Sequence, residues 1–227
     1  RIWISSPGSL GVGRLQAGAD LDLAVESGDL HAADLESTGG SVRTSADGDT
    51  WAGQVRAADL ARLATTGDLE VVDLAAARAE LLAGGDATLT DATVDGVLSV
   101  DADGVLRILP AGRIDAGTVV VDAAALAMGS GSVIAAQQRI DVATTGDMDL
   151  GQMQVAGTTA GSGVRLAAGG HIAGNGDGVV HIAGGALAAA DLDAGTGIGS
   201  QAQPLRVSIG LLDGHSAAGD IHLHLPD

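Results

Sequence analysis

Gly-Asp pairs begin at Gly28, Gly48, Gly67 and Gly85, and Gly104 opens a similar segment with Val105 in the Asp position. Successive starts are nearly evenly spaced, and the phrase ATTGDLEV, from Ala64 to Val71, returns as ATTGDMDL, from Ala143 to Leu150. Gly67 to Gly146 is four such steps. A period of about 19 residues marks a solenoid, in which one unit buries its apolar face only by stacking on the next.

Inside each unit the apolar residues alternate. Leu21, Leu23 and Val25 share one side of DLDLAV; Ala87 pairs with Leu89, Leu98 with Val100, and Ile221 with Leu223 and Leu225. Period two is the pattern of a strand with one buried face. Aligned on the Gly-Asp start, inward positions recur as Leu30, Leu69 and Leu89; as Leu35, Val55, Leu74 and Val94; and as Val42, Leu63, Leu81 and Leu98. Three short strands and three turns in about 19–20 residues describe one coil of an all-β parallel β-helix. At about 4.8 Å per coil, roughly 11 coils make a rod of roughly 50–55 Å.

The register is weaker after Gly104, because the next clear Gly-Asp, at Gly146, fits two longer coils. We read residues 1–227 as a single β-helix domain from a longer repetitive protein, with 1–19 an irregular or capping coil and 161–227 less regular, glycine-rich coils. The rival reading is local. Asp73 to Gly84 (DLAAARAELLAG) is rich in helix formers, with Leu74, Arg78, Leu81 and Leu82 near a helical period. Its place inside one repeat unit favours strand, since Leu74 and Leu81 occupy positions that β residues take in the neighbouring units.

Composition agrees with a thin, layered interior. Of the residues, 46% are hydrophobic, yet Phe and Tyr are absent and the only tryptophans are Trp3 and Trp51. A thick core normally uses aromatics, each of which buries a large area in one piece. The 36 glycines suit a chain that turns every few residues. A formal charge of −18, with arginine as the only strong base, disfavours nucleic acid and anionic membrane surfaces as partners. The most apolar window, Gly117 to Ala136, is interrupted by Asp122 and a Gly-Ser cluster, which argues against membrane insertion. Cysteine is absent, which excludes disulfides and thiol catalysis.

The coil length, the recurring GDL phrase and the stretch from Gly195 to Leu223 together resemble the filamentous-haemagglutinin-like large exported proteins of bacteria. The relevant residues are Gly197-Ile198-Gly199-Ser200, then Pro204-Leu205, then Gly219-Asp220-Ile221. The resemblance covers roughly residues 20–227. It implies a right-handed parallel β-helix, a secreted or outer-membrane-associated cell-surface location, and a role as an adhesin or delivery shaft. The implied partners are a host or neighbouring-cell surface, or matrix polysaccharide or protein, met by a monomeric rod. Two departures stand out: nothing resembles the family's N-terminal secretion domain, and Asn175 is the only asparagine.

Motifs that would carry chemistry are sparse. Stacking brings Asp29, Asp49, Asp68 and Asp86 into one column. Gly would supply a positive φ at each corner, and Asp would cap its own turn's backbone. Carboxylates about 5 Å apart repel by roughly 1 kcal/mol in water, so a column must be staggered or bridged by cations. GNGDGVV, Gly174 to Val180, is a single approximation to a calcium-roll nonapeptide, and DADG, Asp101 to Gly104, lacks the further ligands of a calcium hand loop. His222 and His224 have the spacing of paired metal ligands but lie on the solvated face of their strand; His171, His181 and His215 read as surface or turn residues. GHSAAG is too long for a nucleophile elbow, lysine is lacking for a phosphate loop, and Thr88-Leu89-Thr90 is one isolated Thr-x-Thr rank. We therefore nominate no catalytic, cofactor-binding or metal residue, and read a non-catalytic structural or adhesive shaft. The alternatives are a polysaccharide-active β-helix enzyme and a Ca²⁺-stabilised matrix adhesin.

Overall fold

A computed structural model describes every residue except Ala160, Asp177 and Asp227. Among the described residues, nineteen strands, from Ile2–Ser6 to Leu223–His224, pair in parallel, each with the strand one coil away. They form a parallel β-solenoid of about 11 turns without helices. Because parallel neighbours are a whole coil apart in sequence, nearly all the tertiary structure is inter-coil hydrogen bonding and stacking.

Three columns of inward side chains fill the centre. One begins Leu10, Leu30, Thr50, Leu69, Ala87. A second runs Leu15, Leu35, Val55, Leu74, Ala92, and a third Ile2, Leu21, Val42, Ala61, Ala79, Leu98. The positions expected inward from alternation are buried from Leu21 to Val100. Their ranks differ in detail. Leu89 stacks on Val71 rather than Leu69, Val94 on Ala76 rather than Leu74, and Leu63 and Leu81 stack beside, not in, the Val42 column. Each slip is by one alternation of the strand. With a side-chain period of two, such a slip leaves the residue facing the core.

Coil length changes along the rod. The first-column positions draw slightly closer in sequence as far as Ala87; from Leu126 through Met148 and Ile172 to Ile198 each step is longer than the last. The extra residues enter at the corners, and the strands beyond Gly161 shorten accordingly. Residues 1–19 form the first coil: Ile2–Ser6 and Leu10–Ala17 pair in register with Leu21–Val25 and Leu30–Ser37, and the inward Ile2, Leu10 and Leu15 are only partly buried. The last described coil departs from the expected alternation. Leu223 is only partly buried, while Ile221 and Leu225 are exposed.

The helical reading of Asp73 to Gly84 is settled as strand. Leu69–Ala83 is one continuous strand, with Leu74 and Leu81 buried and Arg78 exposed. Strand and helix make opposite demands at Leu81 and Leu82, which share a face only on a helix. Leu81→Asp buries a charge in the leucine core and should abolish cooperative unfolding, whereas Leu82→Asp should fold with a melting temperature within a few degrees of the parent. Circular dichroism melts of the two variants check this; equal damage from both would favour the helix.

Candidate functional site

The phrase that marks the repeat is a corner, and its residue types follow from what the neighbouring coil places there. The Gly85 N–H donates to the Gly67 carbonyl, and Gly104 donates to Gly85 in turn. Gly146 donates to Ala124, and Gly170 to Gly146. Gly67 and Gly146 thus hold the same corner four coils apart.

The aspartates form a ladder across coils. Oδ1 of Asp29 accepts the Asp49 N–H at 3.0 Å, Asp49 accepts Asp68 at 2.8 Å, and Asp68 accepts Asp86 at 2.8 Å. Asp86 accepts the Val105 N–H at 2.7 Å, and Ser9 Oγ starts the series by accepting the Asp29 N–H at 3.1 Å. The ladder stops where Val105 replaces Asp and resumes at Asp147, whose carboxylate accepts the His171 N–H at 2.7 Å. The expectation that each Asp caps its own turn is therefore corrected: the amide it satisfies belongs to the next coil. The same bond relieves the repulsion expected of stacked carboxylates, since each negative oxygen faces an N–H dipole.

The glycines are explained by the same contact. Of the repeat glycines only Gly28 has a positive φ, 103°. At Gly67, Gly85, Gly104 and Gly170 an added Cβ would collide with Oδ1 of the ladder Asp one coil earlier, and at Gly48 it would lie 2.6 Å from Asp29 Oδ1. Except at Gly28, Gly is needed to make room for the preceding coil rather than to turn left-handed: for its Asp carboxylate at most corners, and for the Ala124 carbonyl, 2.9 Å from an added Cβ, at Gly146. The threonines of the phrase complete the corner. The Thr65 hydroxyl donates to the Gly48 carbonyl of the previous coil, and Thr144 donates to the Gly146 carbonyl at 3.0 Å.

Arginine is deployed in the same direction. Arg14 bridges to Asp34 and Glu36, Arg56 to Asp73, and Arg62 to Glu80, each pair joining adjacent coils at 3.1–3.2 Å. Such exposed pairs are each worth about 0–1 kcal/mol. Their common direction supports register more than stability. Asp86 has its carboxyl held below the usual range, first by the Val105 N–H and then by Arg107; the Ser41 N–H does the same for Asp20.

The histidines separate into two kinds. His215 is exposed, 3.0 Å from Asp193, and His224 is exposed as expected. His181, expected at the surface, is buried: its ring fills the space that a side chain at residue 174 would occupy, which is why Gly174 stands there. Its Nδ1 accepts the Arg206 N–H at 3.1 Å. Burial lowers its pKa below the ordinary 6.5, opposed by the Gly176 backbone and assisted by the Arg206 charge. Protonation would convert Nδ1 to a donor facing a donor.

Among the described residues no group of three or more His, Asp or Glu is placed to hold a metal ion; of the calcium-roll candidate, Asp177 lies outside those residues. His31 and Trp51, which the alternation pattern does not pair, stack with centroids 4.1 Å apart as register partners in adjacent coils. They stand one local coil step apart in sequence, and that is the signal that could have found them.

The fold and the ladder define a parallel β-solenoid protein. Compared with protein families, with curated proteins and with solved structures, the chain matches none.

The corner chemistry is open to direct test. Asp49→Ala should lower the melting temperature by about 2–4 °C, the equivalent of about 1 kcal/mol in a chain of this size. Gly67→Ala should cost more, and adding Asp49→Ala to it should recover part of the loss; strictly additive losses would show that the two residues are not in contact. Acid probes the same structure differently. His181 has a folded pKa below 6.5, so its contribution is complete above pH 6.5 and fades as pH falls through the lowered value. Asp20 and Asp86, lowered from 3.8, contribute above about pH 4 and fade below it. Melting temperature should therefore fall in two stages on acidification, and His181→Gln should remove the first stage only.

Proposed function

We propose that this chain is a shaft: a non-catalytic rod of an exported, acidic bacterial surface protein that holds a binding or effector region away from the cell. The observation that supports this reading is the common direction of the inter-coil bonding. Backbone pairing, the Asp–amide ladder and the pairs made by Arg14, Arg56 and Arg62 run along the axis, the direction in which a shaft bears load. The resemblance of its coil phrase to filamentous-haemagglutinin-like proteins points the same way, as does a charge of −18, which keeps rods from associating side by side. Attachment to a host or neighbouring cell, or to matrix material, is the role proposed.

Antibodies raised against the purified rod test the location on which this rests. Intact source cells should label, and external protease should remove the label. Labelling only after permeabilisation would overturn the proposal.

A further inference from the structure

Two cavities, of about 480 and 460 Å³, meet at Thr93 and Asp95. Together they form one groove along the corner between the second and third faces, from Glu36 to Ala183. Its cause is local. In its middle, from Ala57 to Gln137, the long strands pass the corner without a loop, bending at irregularities after Ala57, Ala76 and Ala116. A bulge bends a strand, and repetition in successive coils bends the whole sheet into a trough. Small buried residues in register, among them Ala57, Ala76, Ala116 and Ala136, keep the floor low. The groove crosses eight coils, about 34 Å at about 4.8 Å per coil.

The walls are periodic along the axis. Outward side chains in one rank include Arg56, Ala75 and Thr93, then Asp115, Ala135 and Gln154. Asp95 and Gln137 flank that rank from beyond the bend. In the middle of the groove each coil presents a hydrogen-bonding side chain: Thr93 and Asp95, then Asp115, Gln137 and Gln154, with alanine beside them. Amide and hydroxyl groups both donate and accept, which suits a partner made of hydroxyls.

We infer that this groove binds an extended, uncharged polysaccharide lying parallel to the solenoid axis. One pyranose with its glycosidic oxygen is close in length to one coil spacing, so successive sugars can meet equivalent groups. Their C–H faces can rest on the alanines. An extended peptide does not fit this period, since it rises about 3.3 Å per residue and repeats its side-chain face every two residues. Acidic polymers are disfavoured by the chain's net charge of −18; in the groove Arg14 pairs with Glu36 and Arg113 with Asp115, and Asp95 adds a further carboxylate. This inference does not depend on the shaft reading or on where the protein resides.

Isothermal titration with neutral β-linked oligosaccharides of glucose, xylose and N-acetylglucosamine, from dimer to hexamer, tests it on the whole chain. Binding by at least one series is expected, tightening with length as more coils are engaged, with polygalacturonate not bound. Ala135→Arg, which plugs the groove, and the Gln137→Ala/Gln154→Ala pair should each weaken binding about tenfold or more at unchanged circular dichroism. The inference is overturned if no neutral series binds at millimolar sugar, if polygalacturonate binds as well as the neutral chains, or if neither variant changes affinity. Surface labelling of cells is a separate readout, so loss of either proposal leaves the other standing.

Discussion

At each corner of the early coils, one carboxylate oxygen accepts the backbone N–H of the residue one coil further on. This bond lies outside the sheets, where the strand ladder is interrupted and backbone groups must find other partners. Placing an acid there dictates its neighbours. The oxygen takes the space where the next coil's Cβ would be, so that residue is glycine. A stack of such corners then brings like charges close, and each carboxylate faces an amide that offsets the repulsion. Gly-Asp is thus one unit of inter-coil contact, written once per coil.

Everything else is arranged around the same axis. The aliphatic columns bury only through stacking, since a single coil has nothing to pack its inner face against. Thr50 enters the first column between Leu30 and Leu69, where the period calls for an apolar residue. A scan for hydrophobic positions passes over it for that reason. Arginine, the only strong base in the chain, is spent largely on carboxylates of adjacent coils or of its own strand, which leaves the surplus of acid exposed.

Sequence reasoning recovers what depends on period alone. Strand identity, the inward face and the four-coil return of the ATTGD phrase all follow from counting, and they tolerate the slips at Leu89 and Val94. It fails where the answer depends on which atoms meet across coils. The ladder reads as local capping because Gly and Asp are also the residues of an isolated turn. His181 reads as a surface residue because nothing near it in sequence reveals that Gly174 leaves a space for its ring. The groove is invisible in the sequence because coil length drifts along the rod, so Thr93, Asp115 and Gln154 have no common spacing. Their alignment exists only once the corners have absorbed the extra residues.

Hydrogen exchange at the ladder amides tests the inter-coil bond most directly. In an Asp49→Ala variant, the Asp68 N–H should lose protection by an order of magnitude or more, while the Asp49 N–H, held by Asp29, stays protected. If instead the amides of the corner around Asp49 open and Asp68 is unaffected, each aspartate serves its own turn and the ladder does not join the coils.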